Sequence, residues 1–144
     1  MISVSPAQII ATALIRDTRL TAPADGGDWP VYISSLPDGP SIPDNAVCVY
    51  DTTGLAQART MSGTSYSRLG VMVKVRSATY ADGWAVAAEI YQALIALKAS
   101  VVTVKDSSFT VQLIVLDGPP LALGPGPSSP RREFFSINGT ASIR

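Results

Sequence analysis

The sequence predicts an α+β fold: a mainly antiparallel sheet of about four to six strands with two helices packed on one face. Three observations carry that expectation. The chain of 144 residues has the usual length of one domain and can bury an ordinary core. Apolar residues recur at helical spacing in two segments and alternate at strand spacing in several others. The order helix, strands, helix, strands lacks the regular strand–helix alternation of a parallel sheet.

Ser5-Pro6 opens the first helix, with a hydroxyl at the cap and proline in the first turn, where its missing N–H costs nothing. Ile9, Ile10, Ala13, Leu14 and Leu20 form its apolar face, and the helix ends before Pro23. Asp25-Gly26-Gly27-Asp28 marks a loop. Val31 to Leu36, bounded by Pro30 and Pro37, reads as a strand. The turn-rich stretch 37–44 follows, and then Ala46 to Thr52 as a firmer strand. Residues 53–67 are small and polar and read as a long loop.

Leu69 to Arg76 alternates cleanly, with Val71, Val73 and Val75 on one side and Met72, Lys74 and Arg76 on the other. A second helix, capped by Asp82, runs to about Lys98. It is apolar almost all round, so it is expected to be covered on more than one side, by other elements or by a neighbouring subunit. Val101 to Lys105 and Phe109 to Leu116 form a hairpin. Residues 118–132, rich in proline and glycine, form an arm, and Arg132 to Ile143 closes the chain as a strand. The whole, 1–144, is expected to be one domain.

Charged residues make up 15% of the chain, well below the roughly 25% of ordinary domains, so part of the surface is expected to meet a partner. Residues 1–58 carry a net charge of −4 and residues 59–144 a net charge of +4. The acidic half holds Asp25, Asp28, Asp38 and Asp44; the basic half holds Arg59, Arg68, Lys74, Arg76, Arg131 and Arg132. Opposite patches suit head-to-tail contacts between identical subunits, and they also suit neutralisation within one fold. Both readings stay open on sequence alone. Neither patch is basic enough for a dedicated nucleic-acid binder.

Chemistry finds little foothold. There is no histidine, which removes the commonest general base and metal ligand. The single cysteine, Cys48, excludes an intrachain disulfide and reads as a small buried hydrophobe in a strand. Asp25 with Asp28, or Asp38 with Asp44, has the chemistry to hold a hard cation, but all four lie among glycines and prolines, where aspartate stabilises turns. No phosphate-binding or nucleophile-elbow motif is present. No cofactor or metal is expected, and the chain reads as a non-enzyme. With no signal peptide and no membrane-length apolar run, it is expected in a reducing cytoplasm.

Four segments together resemble the tail terminator family of long-tailed bacteriophages, also described as minor capsid or tail-completion proteins. They are the helix Pro6 to Leu20 with the later strand Val47-Cys48-Val49-Tyr50-Asp51, and the run Gly70 to Ser77 leading through Tyr80 and Gly83 to Ile90-Tyr91-Gln92-Ala93-Leu94. Leu116-Asp117-Gly118-Pro119-Pro120 and the closing strand Arg131 to Gly139 complete the set. The resemblance implies a structural virion subunit that forms a ring, a hexamer, at the end of the tail tube and joins it to the head. Its implied partners are copies of itself, the tail tube protein and head–tail connector or adaptor proteins, with at most non-specific contact to DNA passing through the ring and none to membrane. Assembly would take place in the host cytoplasm, leaving the protein in the neck of the virion.

Met72 joins the ten charged residues above as a candidate subunit or tail-tube interface, and 53–67 and 118–132 are the candidate contact loops. Three other readings are weighed beside this one. A head-completion or connector-adaptor protein shares the size and ring symmetry. A small-ligand module would line an apolar pocket with Tyr80, Trp84 and Tyr91. A third, a divalent-ion hydrolase built on the carboxylates, would show metal-dependent thermal stabilisation.

Overall fold

A computed structural model describes residues 3–39, 41–59, 61–63, 65–126 and 131–144, with only the backbone for 57–59. Two helices, α1 (Pro6–Asp17) and α2 (Tyr80–Ala96), accompany seven strands: β1 (Val31–Ile33), β2 (Ala46–Arg59), β3 (Ser65–Ser77), β4 (Ser100–Val104), β5 (Ser107–Leu116), β6 (Leu121–Pro125) and β7 (Glu133–Ile143). They form one sheet in the order β1-β2-β3-β7-β5-β4, with β6 beside β7. Among the described strands only β1 pairs with its neighbour in parallel. The fold is the expected α+β, with seven strands among the described residues where about four to six were predicted.

Register fixes which side chains share a face. Val47, Val49, Val71, Val73, Val75, Phe135, Ile137, Ala141 and Ile143 all point to the helix side, following the pairs Val47↔Val75, Val73↔Ile137 and Val75↔Phe135. The helices cover this side through Ile9, Ile10 and Leu14 of α1 and Val86, Ile90 and Leu94 of α2, all essentially buried. The sheet curls far enough that α1 touches both outer strands, β1 and β4. On the back of the sheet lie Cys48, Tyr50, Met72, Lys74, Arg76, Phe134, Ser136 and Asn138.

Local chemistry explains where the helices start. Ser5 caps α1 in a complete capping box, its hydroxyl accepting from the Gln8 N–H at 3.2 Å while the Gln8 side chain accepts from the Ser5 N–H at 3.1 Å. The Ala7 N–H donates to Asp51 at 2.9 Å, which ties the first turn of α1 to β2. Helix α1 stops at Asp17 rather than Leu20, because Thr18 turns to extended backbone. The cap of α2 is Thr79 rather than Asp82: the Thr79 hydroxyl accepts from the Asp82 N–H at 3.3 Å, so Asp82 sits in the first turn.

The predicted loop 53–67 is instead the far half of a long hairpin, because β2 continues to Arg59 and β3 begins at Ser65. Backbone pairing with β3 carries β2 onward without an apolar face of its own. Two register shifts, between Thr52 and Leu55 and between Leu55 and Ala58, absorb the irregularity. Gly54 and Gly70 permit the close approach there, since a Cβ on Gly54 would meet the Arg68 carbonyl oxygen at 2.2 Å.

The predicted arm 118–132 contains strand β6. Beyond the Asp117–Pro120 interruption, β6 prolongs the line of β5 along the same side of β7, antiparallel to it. Residues 127–130 of that arm lie outside the described residues. The strand predicted over Val31 to Leu36 ends at Ile33, since Ser34 adopts a left-handed φ of 63°.

Candidate functional site

At the end of the sheet where β3 finishes and β7 begins, the crossover 34–45 is fastened by two arginines. Arg76 and Arg132 are each 1% exposed. Arg76 donates to the backbone carbonyls of Asp44 at 3.0 Å, Pro43 at 2.8 Å and Pro37. Arg132 donates to Asp44 Oδ1 and Asp38 Oδ1, both at 2.8 Å, and to the carbonyls of Gly39 and Ile42 at 2.8 and 2.7 Å. The planar guanidinium, with five fixed donors, can satisfy so many acceptors at once where a lysine cannot. Burial, and then the charge of Arg132, lower the pKa of Arg76, while Asp38, Tyr32 and Asp44 oppose the shift.

Four of the sequence-predicted interface residues, Asp38, Asp44, Arg76 and Arg132, therefore meet inside one subunit. At these positions the opposite-charge patches neutralise one another within the fold. The remaining candidates are dispersed. Asp25 is exposed in a single 3-10 turn, and Asp28 is exposed on the rim of an open cleft with Gly27, Trp29, Asp44, Asn45 and Ala78. Arg131 is 75% exposed and 3.6 Å from Glu133. Arg59 ends β2, its backbone paired with Ser65. Arg68 donates to the Ala56 carbonyl at 2.8 Å, which fastens the long hairpin across itself. Met72 lies half-buried between Tyr50 and Asn138, and Lys74 stands 4.9 Å from the centre of the Phe134 ring.

The back of the sheet also holds Cys48 and Tyr50. Burial pushes the Cys48 thiol up, against weaker opposing contributions from Tyr50, Ser35, Lys74 and Ser34. A thiol held protonated in this way is a poor nucleophile. Burial, and then Cys48, push the Tyr50 phenol up to about 12. Among the described residues no three His, Cys, Asp or Glu side chains cluster to hold a metal ion. Among the described residues no helix is long and apolar enough to cross a membrane. Tyr80 and Trp84 pack onto Phe135, with ring centres 5.3 and 6.2 Å from it, as a three-ring cluster.

Sequence reasoning did not single out the exposed apolar side chains of β5 and β6. Leu113, Val115, Leu121 and Leu123 are 45–58% exposed. Their signal is alternation that turns both faces apolar across β5, where Leu113 and Val115 flank the buried Ile114. What the molecule offers is surface: an uncharged helix face, a broad sheet back, and a hairpin carrying the exposed Met61 at its tip.

None of the curated proteins compared matches the chain. The family model described as bacteriophage tail terminator protein matches residues 17–130, from the end of α1 to just before β7. That span is well over half of the chain and includes β2, β3, α2 and the β5–β6 line. The chain thus belongs to the bacteriophage tail terminator family, structural proteins of the virion tail.

Proposed function

We propose that this subunit assembles as a hexameric ring on the last ring of tail tube protein, stops the tube's growth and presents the surface to which the head joins. Membership of the tail terminator family is the observation that carries the reading. The uncharged outer face of α2, the long β2–β3 hairpin and the β6 arm support it, because they are surfaces for neighbours rather than for a substrate. Asp25, Asp28, Arg131 and Met61, exposed and outside the arginine clamp, are the side chains offered to adjoining subunits or to tube protein. The function needs no catalysis and no cofactor. Arg68 and Lys74 give the sheet back a mild positive charge, enough for non-specific contact with passing DNA and no more.

Electron microscopy of lysates from a phage lacking this gene tests the reading. Overlong or ragged tails without heads are expected. Tails of normal length beside leaking or empty heads would assign the protein to head completion instead, and unaltered virions would remove both roles.

A further inference from the structure

The crossover between β1 and β2 carries no core of its own. None of residues 34–39 and 41–45 is buried, and its larger apolar side chains, Leu36 and Ile42, are half-buried. Beneath it, Arg76 and Arg132 are each 1% exposed. The crossover therefore hides two charged groups while hiding little of itself.

Each guanidinium grips both halves of the crossover. Arg132 donates to Asp38 and Gly39 in the first half, and to Ile42 and Asp44 in the second. Arg76 donates to Pro37 in the first half, and to Pro43 and Asp44 in the second. Asp44 is held twice, its carbonyl by Arg76 and its carboxylate by Arg132. The Ile42 N–H joins the halves by donating to the Gly39 carbonyl at 3.3 Å. If one half lifted alone, both guanidiniums would stay covered by the other with donors unpaired, which is costly. If both halves lift together, the guanidiniums return to water.

The ends of the crossover are fixed separately. The Ser34 N–H donates to the Val49 carbonyl at 2.9 Å, and the left-handed backbone of Ser34 turns the chain off the line of β1. Asn45 Oδ1 accepts from the Ala78 N–H at 3.3 Å, and the Val47 N–H donates to the Pro30 carbonyl at 2.9 Å. The apolar core lies on the helix side of the sheet, whereas Arg76 stands on its back. Lifting the crossover thus leaves the core covered. Segments with few buried apolar contacts are those that open below the free energy of global unfolding.

We infer that residues 35–39 and 41–44 form a strap that lifts off the end of the sheet as one piece, hinged at Ser34 and Asn45, while the helices and the rest of the sheet stay folded. Asp38 and Asp44 travel with the strap. The open form therefore presents two guanidiniums parted from their carboxylates, and closure masks that cationic patch.

Hydrogen exchange of the full chain, followed by nuclear magnetic resonance in urea below the unfolding transition, reads the opening. The Nε–H groups of Arg76 and Arg132 and the Ile42 N–H are expected to exchange through one common opening with a shallow urea dependence. The N–H groups of Val71 and Val73, in a strand paired on both sides, should follow the steep dependence of global unfolding. Arg132→Met removes no bond made by Arg76. Exchange at Arg76 Nε–H should nonetheless quicken at least about tenfold in that variant, and by the same factor as at the Ile42 N–H. Asp38→Asn, milder and able to serve where Arg132→Met does not fold, should quicken the same two groups by one shared factor. A urea dependence at Arg76 Nε–H equal to that of Val73 would overturn the inference, since the strap would then leave only with the whole fold. Unequal factors at Arg76 and Ile42 would overturn it as well, since the two halves would then move separately.

Discussion

Arg132 Nε and Asp44 Oδ1 stand 2.8 Å apart although 88 residues separate them in the chain. The bond joins the start of the last strand to the crossover that precedes β2. With the Asp38 contact and two carbonyls, it makes Arg132 the pin that holds the crossover against the start of the last strand.

Replacing Arg132 by Met keeps much of the buried volume and removes every one of those bonds. The carbonyls and carboxylates can partly rehydrate, since Asp38 and Asp44 are 54% and 43% exposed. A loss of about 2–4 kcal/mol is expected in urea unfolding, from charge-assisted bonds and from acceptors left poorly paired. Arg132→Lys should recover less than half of it, because an ammonium cannot reach acceptors spread around a planar fork.

Gly83 lies on the inner face of α2, where a Cβ would meet Phe135 Cε2 at 2.4 Å and Ser77 Cβ at 2.9 Å. Helix propensity favours Gly83→Ala by about 1 kcal/mol. Overpacking against a ring that is itself fully buried costs about 1–3 kcal/mol, and the clash should win. The net loss of up to about 2 kcal/mol is expected to lower the midpoint of thermal unfolding by up to roughly 8 °C; a rise would show that α2 can slide away from the sheet.

The Tyr50 phenol holds its proton to about pH 12 in the folded chain, above the ordinary value of 10.0. A raised folded pKa favours the neutral form. Its stabilisation is therefore complete below pH 10.0 and is lost as the pH rises toward 12, where the unfolded chain ionises first. Ultraviolet titration of the native chain should show one late tyrosinate step that is absent from Tyr50→Phe. The variant should also lose less stability than the wild type over that alkaline range.

Ser5 and Asp51 together satisfy the first turn of α1. Ser5→Ala should cost about 1 kcal/mol, and Asp51→Ala a further 0.5–1.5 kcal/mol or about that. The double variant should show near-additive loss by denaturant unfolding, since the two oxygens serve different N–H groups.

Much of the fold was legible where local chemistry and burial agree. Ser5-Pro6 opens α1, the alternation of Val71, Val73 and Val75 marks the covered side of β3, and Asp106 sits in the turn of the β4–β5 hairpin. The hairpin 53–67 was not legible, because Thr52 to Ala58 alternates no apolar face; its extension comes from backbone pairing with a strand elsewhere in the sequence. The clamp was half legible. Asp38, Asp44, Arg76 and Arg132 stand out as charges, yet only folding shows that they meet one another. The outer face of α2 announced itself through its lack of charge, whereas Leu121 and Leu123 looked like filler in a proline-rich arm.

The broken line of β5 and β6 has a consequence of its own. From Gln112 to Pro125 its outer side faces no strand among the described residues, which would ordinarily invite another chain to add on. A register shift after Val111, Pro119-Pro120, the left-handed Gly124 and Pro125 interrupt the row of donors at each stage. No incoming strand can be zipped along it from end to end. The edge thereby offers no continuous template on which a further strand could start a polymer.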